Sequence, residues 1–289
     1  MIEAADLRKV YGDVVAVAGA SFRVDSGEIF GLIGPNGAGK TTTLKMLAGL
    51  VEPTGGSATV AGFDVSDREM RRRLGYVPED SPVYEDMTAR SYLRFFASLY
   101  DVDRETADER IGSTLDRLDL DVRDRPLGNC SKGMRRKVAI ARSLVNDPDV
   151  LVYDEPASGL DPLTTNAIID FVRELGADRT VVFSAHNLFH VEALCDRIAI
   201  MVDGELVTQG TLDAIRRDHG GVRYRVDTSV PVNGTEPVAD GRHRTVVGSM
   251  DAVDDLREAA RDAGGELLDV RSKEPSLEEI FLAVAGASR

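Results

Sequence analysis

The sequence predicts an α/β protein built in two parts, and three observations lead there. Short apolar runs at Val14–Val17, Ser21–Val24, Ile29–Ile33, Ser57–Ala61, Val150–Tyr153 and Thr180–Ser184 read as strands. Longer segments between them read as helices. Residues 40–50, KTTTLKMLAGL, form one that ends near Gly49. Residues 88–145 are helical, with Ala107, Ile111, Leu115 and Leu118 on one face, and Asn166–Leu175 is a further helix. Finally, the character changes near residues 216–221, where a charged run ends in Gly220–Gly221.

The first part is expected over residues 1–218, with a helical subdomain at about 85–145. It closes on a hairpin, Ile198–Asp203 and Glu205–Gln209, around Asp203–Gly204. The second part, residues 219–289, is a small β/α appendage. Its strands fall at about 222–228, 243–248 and 266–271, and its helices at 251–263 and 277–285. Ser276 and Glu279 have the spacing of a capping box for the last helix, whose apolar face is Leu277, Ile280, Phe281 and Val284.

Composition narrows the function classes. The 289 residues carry 49 Asp plus Glu against 35 Lys plus Arg, a net charge of −14. Lys9, Lys40, Lys45, Lys132, Lys137 and Lys273 are the whole lysine set. Such an acidic surface disfavours nonspecific binding to nucleic acid or anionic lipid. It is also the balance that keeps a protein soluble in a high-salt, halophilic cytoplasm. No apolar run reaches the roughly 18–20 residues of a membrane span, and the N-terminus lacks a signal-peptide pattern. A soluble, intracellular protein is expected. Cys130 and Cys195 are too few for a disulfide framework and lack metal-ligand spacing.

Two motifs carry chemistry. Gly34-Pro35-Asn36-Gly37-Ala38-Gly39-Lys40-Thr41 follows the apolar run Ile29–Ile33 and opens a helix. Glycines at these places let backbone N–H groups turn inward around phosphate oxygens, and the helix N-terminus faces the same charge. Lys40 reaches the outer phosphates and Thr41 offers a hydroxyl to Mg²⁺, with Thr42 alongside. The second motif is Asp154-Glu155, delivered by the buried run Val150–Tyr153 to the carboxyl edge of a sheet, where ligands of open α/β sheets sit. Asp154 would hold Mg²⁺ through water, and Glu155 would orient the attacking water. Together they define a P-loop NTPase core, for ATP or GTP.

Further residues occur in a set order. Asn129-Cys130-Ser131-Lys132-Gly133-Met134 precedes the acidic strand, Glu155-Pro156-Ala157-Ser158-Gly159-Leu160-Asp161 continues beyond it, and Ser184-Ala185-His186 closes the next strand. Over about residues 1–215 this set resembles the nucleotide-binding subunits of ATP-binding-cassette (ABC) transporters. The resemblance implies an antiparallel β subdomain and a helical subdomain around the P-loop core. It matches Ser131 and Gly133 to the family's LSGGQ signature, Ser158–Asp161 to its D-loop, and His186 to its switch histidine. Tyr11 matches the aromatic that stacks on adenine. It also implies a head-to-tail dimer, homo- or heteromeric, in which Lys40 of one copy meets Ser131 and Gly133 of the other across ATP. Glu155, His186 and Lys40 would be catalytic.

Two positions depart from that pattern. Leu, Gly and Gln of the signature are replaced by Cys130, Lys132 and Met134. In Tyr76-Val77-Pro78-Glu79, Glu79 stands where the family usually has Gln. Glu79 can approach Mg²⁺ or accept from water, but cannot donate a hydrogen bond while ionised. Both variants, and the tail Pro275–Leu282, look like those of the drug- and ion-exporter ATPases that pair with type-2 permeases. The expected protein is therefore an ATP-hydrolysing subunit that powers a separate membrane permease. It would sit peripherally at the inner face of the cell membrane, and the permease would insert a short helix near Glu79 and residues 85–105. A non-transport soluble ABC ATPase is the alternative. A GTPase switch fits poorly with the long stretch between Lys40 and Asp154. His190 completes no metal pattern and reads as structural. The run Arg135-Arg136-Lys137 reads either as an attractor of phosphates or acidic partners, or as a solvated helix face.

Overall fold

The computed structural model describes residues 1–80, 82–220, 223–273 and 275–287. It divides into two compact units, Met1–Gly210 and Thr211–Arg289. Gly221 and Val222, where the sequence places the junction and the start of a strand, lie outside the described residues.

The first unit begins with β1 (Ile2–Tyr11) and β2 (Val14–Val24), followed by β3 (Ile29–Ile33) and α1 (Lys40–Leu47). Next come β4 (Gly55–Val60), β5 (Phe63–Asp64), α2 (Arg68–Arg72) and β6 (Leu74–Val77). The helical segment contains α3 (Ala89–Leu99), α4 (Arg104–Arg117) and α5 (Lys132–Arg142). The chain then alternates: β7 (Val150–Tyr153), α6 (Pro162–Gly176), β8 (Thr180–Ala185), α7 (Leu188–Leu194), β9 (Arg197–Val202) and β10 (Glu205–Gly210).

These strands make two sheets. One is antiparallel, in the order β2-β1-β4-β5. The other runs β10-β9-β3-β8-β7-β6 and is parallel except for the edge strand β10. Parallel strands are buried on both faces, which is why β3, β7 and β8 read as unbroken apolar runs and are fully buried. Leu44, Met46 and Leu47 of α1 share one core with Ile2, Leu7 and Phe22 of the first sheet and Leu32, Val152 and Val182 of the second. That shared core fixes α1, and with it the loop that precedes it.

The structure differs from the sequence expectation in several places. The runs Val14–Val17 and Ser21–Val24 are one continuous strand, β2, because both halves pair with β1. The helical segment is broken twice, by the side-chain caps Asp103 and Ser131, which accept from the Thr106 and Met134 amides. The helix expected from Asn166 starts four residues earlier, with Asp161 as cap and Pro162 in the first turn. The hairpin turn Asp203–Gly204 has positive φ at both residues, as a two-residue turn matched to strand twist requires.

The second unit holds α8 (Leu212–Gly220), β11 (Arg223–Thr228), β12 (Glu236–Pro237), β13 (His243–Val247), α9 (Met250–Asp262), β14 (Leu267–Lys273) and α10 (Leu277–Ala287). Its sheet order is β12-β13-β11-β14, antiparallel throughout, and α9 packs on it through the buried Val253 and Ala260. The boundary falls at Gly210/Thr211, ahead of the expected 218/219, because α8 packs with α10 of this unit and buries Ile215. Ser276 and Glu279 form the reciprocal bonds of a capping box.

Asp227, buried on β11, accepts two bonds from Arg244 on β13, at 2.7 and 2.8 Å. The hydrogen-bonded Arg244 guanidinium, aided by the nearby Arg225 and Arg242 charges, holds the Asp227 carboxyl below its ordinary range. A depressed folded-state value means the contribution to stability is full above the unfolded value of about 3.9 and is lost as pH falls through the folded one. Asp227→Asn is expected to unfold at a lower temperature than the parent at neutral pH. The gap should close as the solution is acidified below about pH 4, a trend that thermal unfolding at a series of pH values measures.

Candidate active site

The loop between β3 and α1 is fastened from several sides. Gly34 has no space for a side chain: a Cβ there would lie 2.2 Å from the Met201 carbonyl oxygen. Gly39, at φ 102°, would meet the Ala16 carbonyl at 2.4 Å. The Gly204 amide donates to the Ala38 carbonyl at 3.0 Å, so the β9–β10 turn grips the loop. These close approaches explain glycine at 34 and 39, and the positive φ of 83° explains it at 37.

Lys40, buried in the first turn of α1, curls back so that Nζ donates to the Gly34 carbonyl at 2.8 Å and the Pro35 carbonyl at 3.2 Å. Three threonines follow and divide in role. Thr43 Oγ1 is engaged on the Gly39 carbonyl at 3.1 Å. Thr41 and Thr42 are half-buried, and no hydrogen bond to either hydroxyl occurs among the described residues.

At the carboxyl end of β7, two adjacent acids are turned to different tasks by one serine of β8. Ser184 Oγ donates to Asp154 Oδ1 at 2.7 Å and accepts from the Glu155 amide at 2.9 Å. Asp154 also donates its amide to the Val77 carbonyl of β6 at 2.8 Å. Its second oxygen, Oδ2, is buried without a partner among the described residues. A lone buried carboxylate oxygen is costly unless a cation or a donor meets it. The Thr41 hydroxyl and the unmet Asp154 oxygen are hard oxygen donors of the kind Mg²⁺ takes.

Glu155 has φ 48°, a left-handed conformation that is strained for glutamate. Its carboxylate thereby lies between two cations or potential cations. Oε2 accepts from His186 Nδ1 at 2.6 Å, and Oε1 is 3.9 Å from Lys40 Nζ. Lys40, Asp154, Glu155 and His186 are therefore one constellation, drawn from β3–α1, β7 and β8. His190 does not enter it; it lines an adjoining cavity of about 200 Å³ with Glu155, Ser158 and His186.

Among the described residues no hydrogen bond joins Ser131 or Gly133 to the Gly34–Thr41 loop. Ser131 caps α5 by accepting from the Met134 amide at 3.2 Å. Gly133 is buried, and a Cβ there would lie 2.8 Å from Thr164 Cγ2. Lys132 is exposed, with Nζ against Gly159. A side chain at 133 would therefore have to displace that of Thr164. Tyr11 ends β1 with its ring exposed and Lys9 Nζ 5.1 Å from the ring centroid.

Glu79 has an exposed side chain, but its backbone is held. Arg136 of α5 donates to the Pro78 carbonyl at 2.7 Å and to the Glu79 carbonyl. This corrects both readings of the basic run. Arg136 is buried; Lys137 Nζ donates to the Leu118 carbonyl at 2.7 Å; Arg135 pairs with Glu85 at 3.5 Å. Burial pushes the Arg136 guanidinium below its ordinary value, opposed by the charges of Asp80, Glu79, Asp154 and Glu155. No periodicity in the sequence separates a buried Arg136 from its exposed neighbours.

A glycine-bound phosphate loop, an acidic pair and a polarised histidine at the carboxyl edge of a parallel sheet define a P-loop ATPase of the cassette type. Comparison with known proteins agrees. A family model described as "ABC transporter" matches residues 17–158. The chain is 40% identical to the ABC transporter ATP-binding protein NatA of Bacillus subtilis, over 73% of this chain and 86% of that one. It is 34% identical to the Nod factor export ATP-binding protein I of Burkholderia orbicola, over 99% and 97%. Among solved structures, an ATP-binding subunit of an ABC transporter is similar at a TM-score of 0.69 and 35% identity, covering 76% of this chain and 93% of that chain. A dimeric bacterial ABC transporter cassette is similar at 0.68 and 25%. This chain belongs to the ABC transporter ATP-binding proteins, the ATP-hydrolysing subunits of transporters.

Replacing Arg136 by Gln should strand the Pro78 and Glu79 carbonyls. A total loss of about 1–3 kcal/mol is expected for these part-buried, charge-assisted bonds, read as a lower urea midpoint with an unchanged slope.

Proposed function

We propose that this subunit binds Mg·ATP between two head-to-tail copies and uses its hydrolysis to drive export through a separate permease. The observation that carries the reading is the Glu155 carboxylate held by His186 on one side and facing Lys40 on the other, with the unmet Asp154 oxygen beside it.

Each assignment has a support. The loop amides and Lys40 hold the outer phosphates; Lys40 exchanges its bonds to Gly34 and Pro35 for phosphate oxygens. Thr41 and Asp154 hold Mg²⁺, whose charge would neutralise the phosphates, with Glu79 able to approach from the neighbouring strand end. Tyr11 is exposed at the end of β1, as a stacking ring for adenine must be. Glu155 orients the attacking water and accepts its proton, and the His186 imidazole fixes the carboxylate that does so. Ser131 is exposed at the cap of α5, and among the described residues neither it nor Gly133 hydrogen-bonds to the Gly34–Thr41 loop, which suits this helix start to meeting ATP of a second copy. The similarity to the Nod factor export protein supports the export direction.

No helix among the described residues is long and apolar enough to cross a membrane; the reading assigns the membrane element to a separate permease. A cavity of about 300 Å³, lined by Leu50, Tyr76, Phe96, Tyr100 and Arg142, opens between α1 and the helical segment. Exposed Phe95 and Leu99 lie on that segment and exposed Tyr84 just before it, an apolar set suited to a permease helix. The acid excess is consistent with a high-salt interior.

Glu155→Gln keeps shape and removes the proton acceptor. It is expected to bind ATP with near-parent affinity, to lose at least about a hundredfold in kcat, and to elute as a dimer with ATP. Parent-like turnover would overturn the role of Glu155, and a monomer with bound ATP would overturn the shared site.

A further inference from the structure

Among the described residues, two buried oxygens on the same face of the parallel sheet lack hydrogen-bond partners: Asp154 Oδ2 and the hydroxyl of Tyr76. Their nearness follows from register. Tyr76 of β6 pairs with Val152 of β7. Side chains alternate along a strand, so Val152 and Asp154 point the same way, and Tyr76 points with them. The core confirms the face: Val150, Val152 and the Tyr76 ring pack in the cluster that also contains Leu44, Met46 and Leu47 of α1. This is the face on which α1 presents its first turn, with Thr41.

Burial raises the Tyr76 phenol well above its ordinary value, and the Asp154 charge raises it further, while Arg142 opposes them. The hydroxyl therefore keeps its proton and can donate. An unpartnered tyrosine hydroxyl in a core costs stability that phenylalanine would not. Its cost here has a ready explanation if the hydroxyl serves the acid it faces.

We propose that Tyr76 is a positioning residue for the Asp154 carboxylate: its hydroxyl and Asp154 Oδ2 share one water molecule, and that contact aims the carboxylate at the divalent cation. The inference rests on the assignment of Asp154 to the cation. Among the described residues neither oxygen has a hydrogen-bond partner, so the contact needs a bridging molecule, and a buried water requires at least two polar partners of this kind. Groups that orient a metal ligand in this way commonly change affinity by about 10–100-fold.

Mn²⁺ is the probe, followed by paramagnetic resonance of the full chain saturated with a non-hydrolysable ATP analogue. Tyr76→Phe removes one oxygen and keeps the ring. Its Mn²⁺ affinity is expected to fall by about tenfold, equivalent to ~1.4 kcal/mol, while analogue binding in chelator and the thermal midpoint of the free protein do not fall. Asp154→Asn is expected to weaken Mn²⁺ more. The double variant should be no weaker than Asp154→Asn alone, since the hydroxyl acts through that carboxylate. Parent-like Mn²⁺ affinity in Tyr76→Phe, or additive losses in the double variant, would overturn the proposal for Tyr76. Parent-like affinity in Asp154→Asn would instead overturn the assignment of Asp154 on which it rests.

Discussion

Ser184 Oγ stands between two adjacent acidic residues, donating to the Asp154 carboxylate and accepting from the Glu155 amide. Adjacent residues on a strand would point to opposite faces, so two acids at one strand end cannot serve one ligand unless the backbone turns. The turn is made at Glu155, at positive φ. β8 can hold it because it is hydrogen-bonded to both β7 and β3. Strand order thus puts the serine, the acids and the phosphate loop along one sheet edge. His186, two residues past Ser184, then meets Glu155 without further adjustment.

A second link runs away from that edge. Arg136 carries the start of α5 to the carbonyls of Pro78 and Glu79, at the end of β6. α5 begins with Ser131 and Gly133, and β6 lies beside β7. A buried cation holding two carbonyls is a stiff joint, because moving either side breaks its charge-assisted bonds and leaves the buried guanidinium unmet. The segment that would meet a second copy and the segment near a permease helix are consequently joined by one side chain.

The motifs were legible in the sequence because each is a covalently contiguous unit with its own local demand. The positive φ of Gly37 and Gly39, the Asp203–Gly204 turn and the Ser276–Glu279 box are local demands, whereas the tight contact that requires glycine at 34 is made by Met201, far along the chain. The short strand β6, the breaks that separate α3, α4 and α5, and the true start of the second unit were not legible. Their reasons are non-local: β6 exists by pairing with β7, and α8 joins the second unit by packing against α10. Arg136 and Tyr76 illustrate the same limit in the site. One sits in a run of cations and the other in an ordinary strand, and neither neighbourhood reveals that the guanidinium or the hydroxyl is buried.

The sequence by itself determined which chemistry this chain carries: a loop that cradles phosphate, two acids after a buried strand, a histidine closing the next strand. Only the tertiary structure decided how those groups share the work. It brought Lys40 and His186 to the Glu155 carboxylate and, among the described residues, left Asp154 Oδ2 without a partner. The physical reason is that residue type specifies what a group can donate or accept. Strand register and burial specify which partners remain for it, and those depend on segments more than a hundred residues apart along the chain, as Lys40 and Glu155 are.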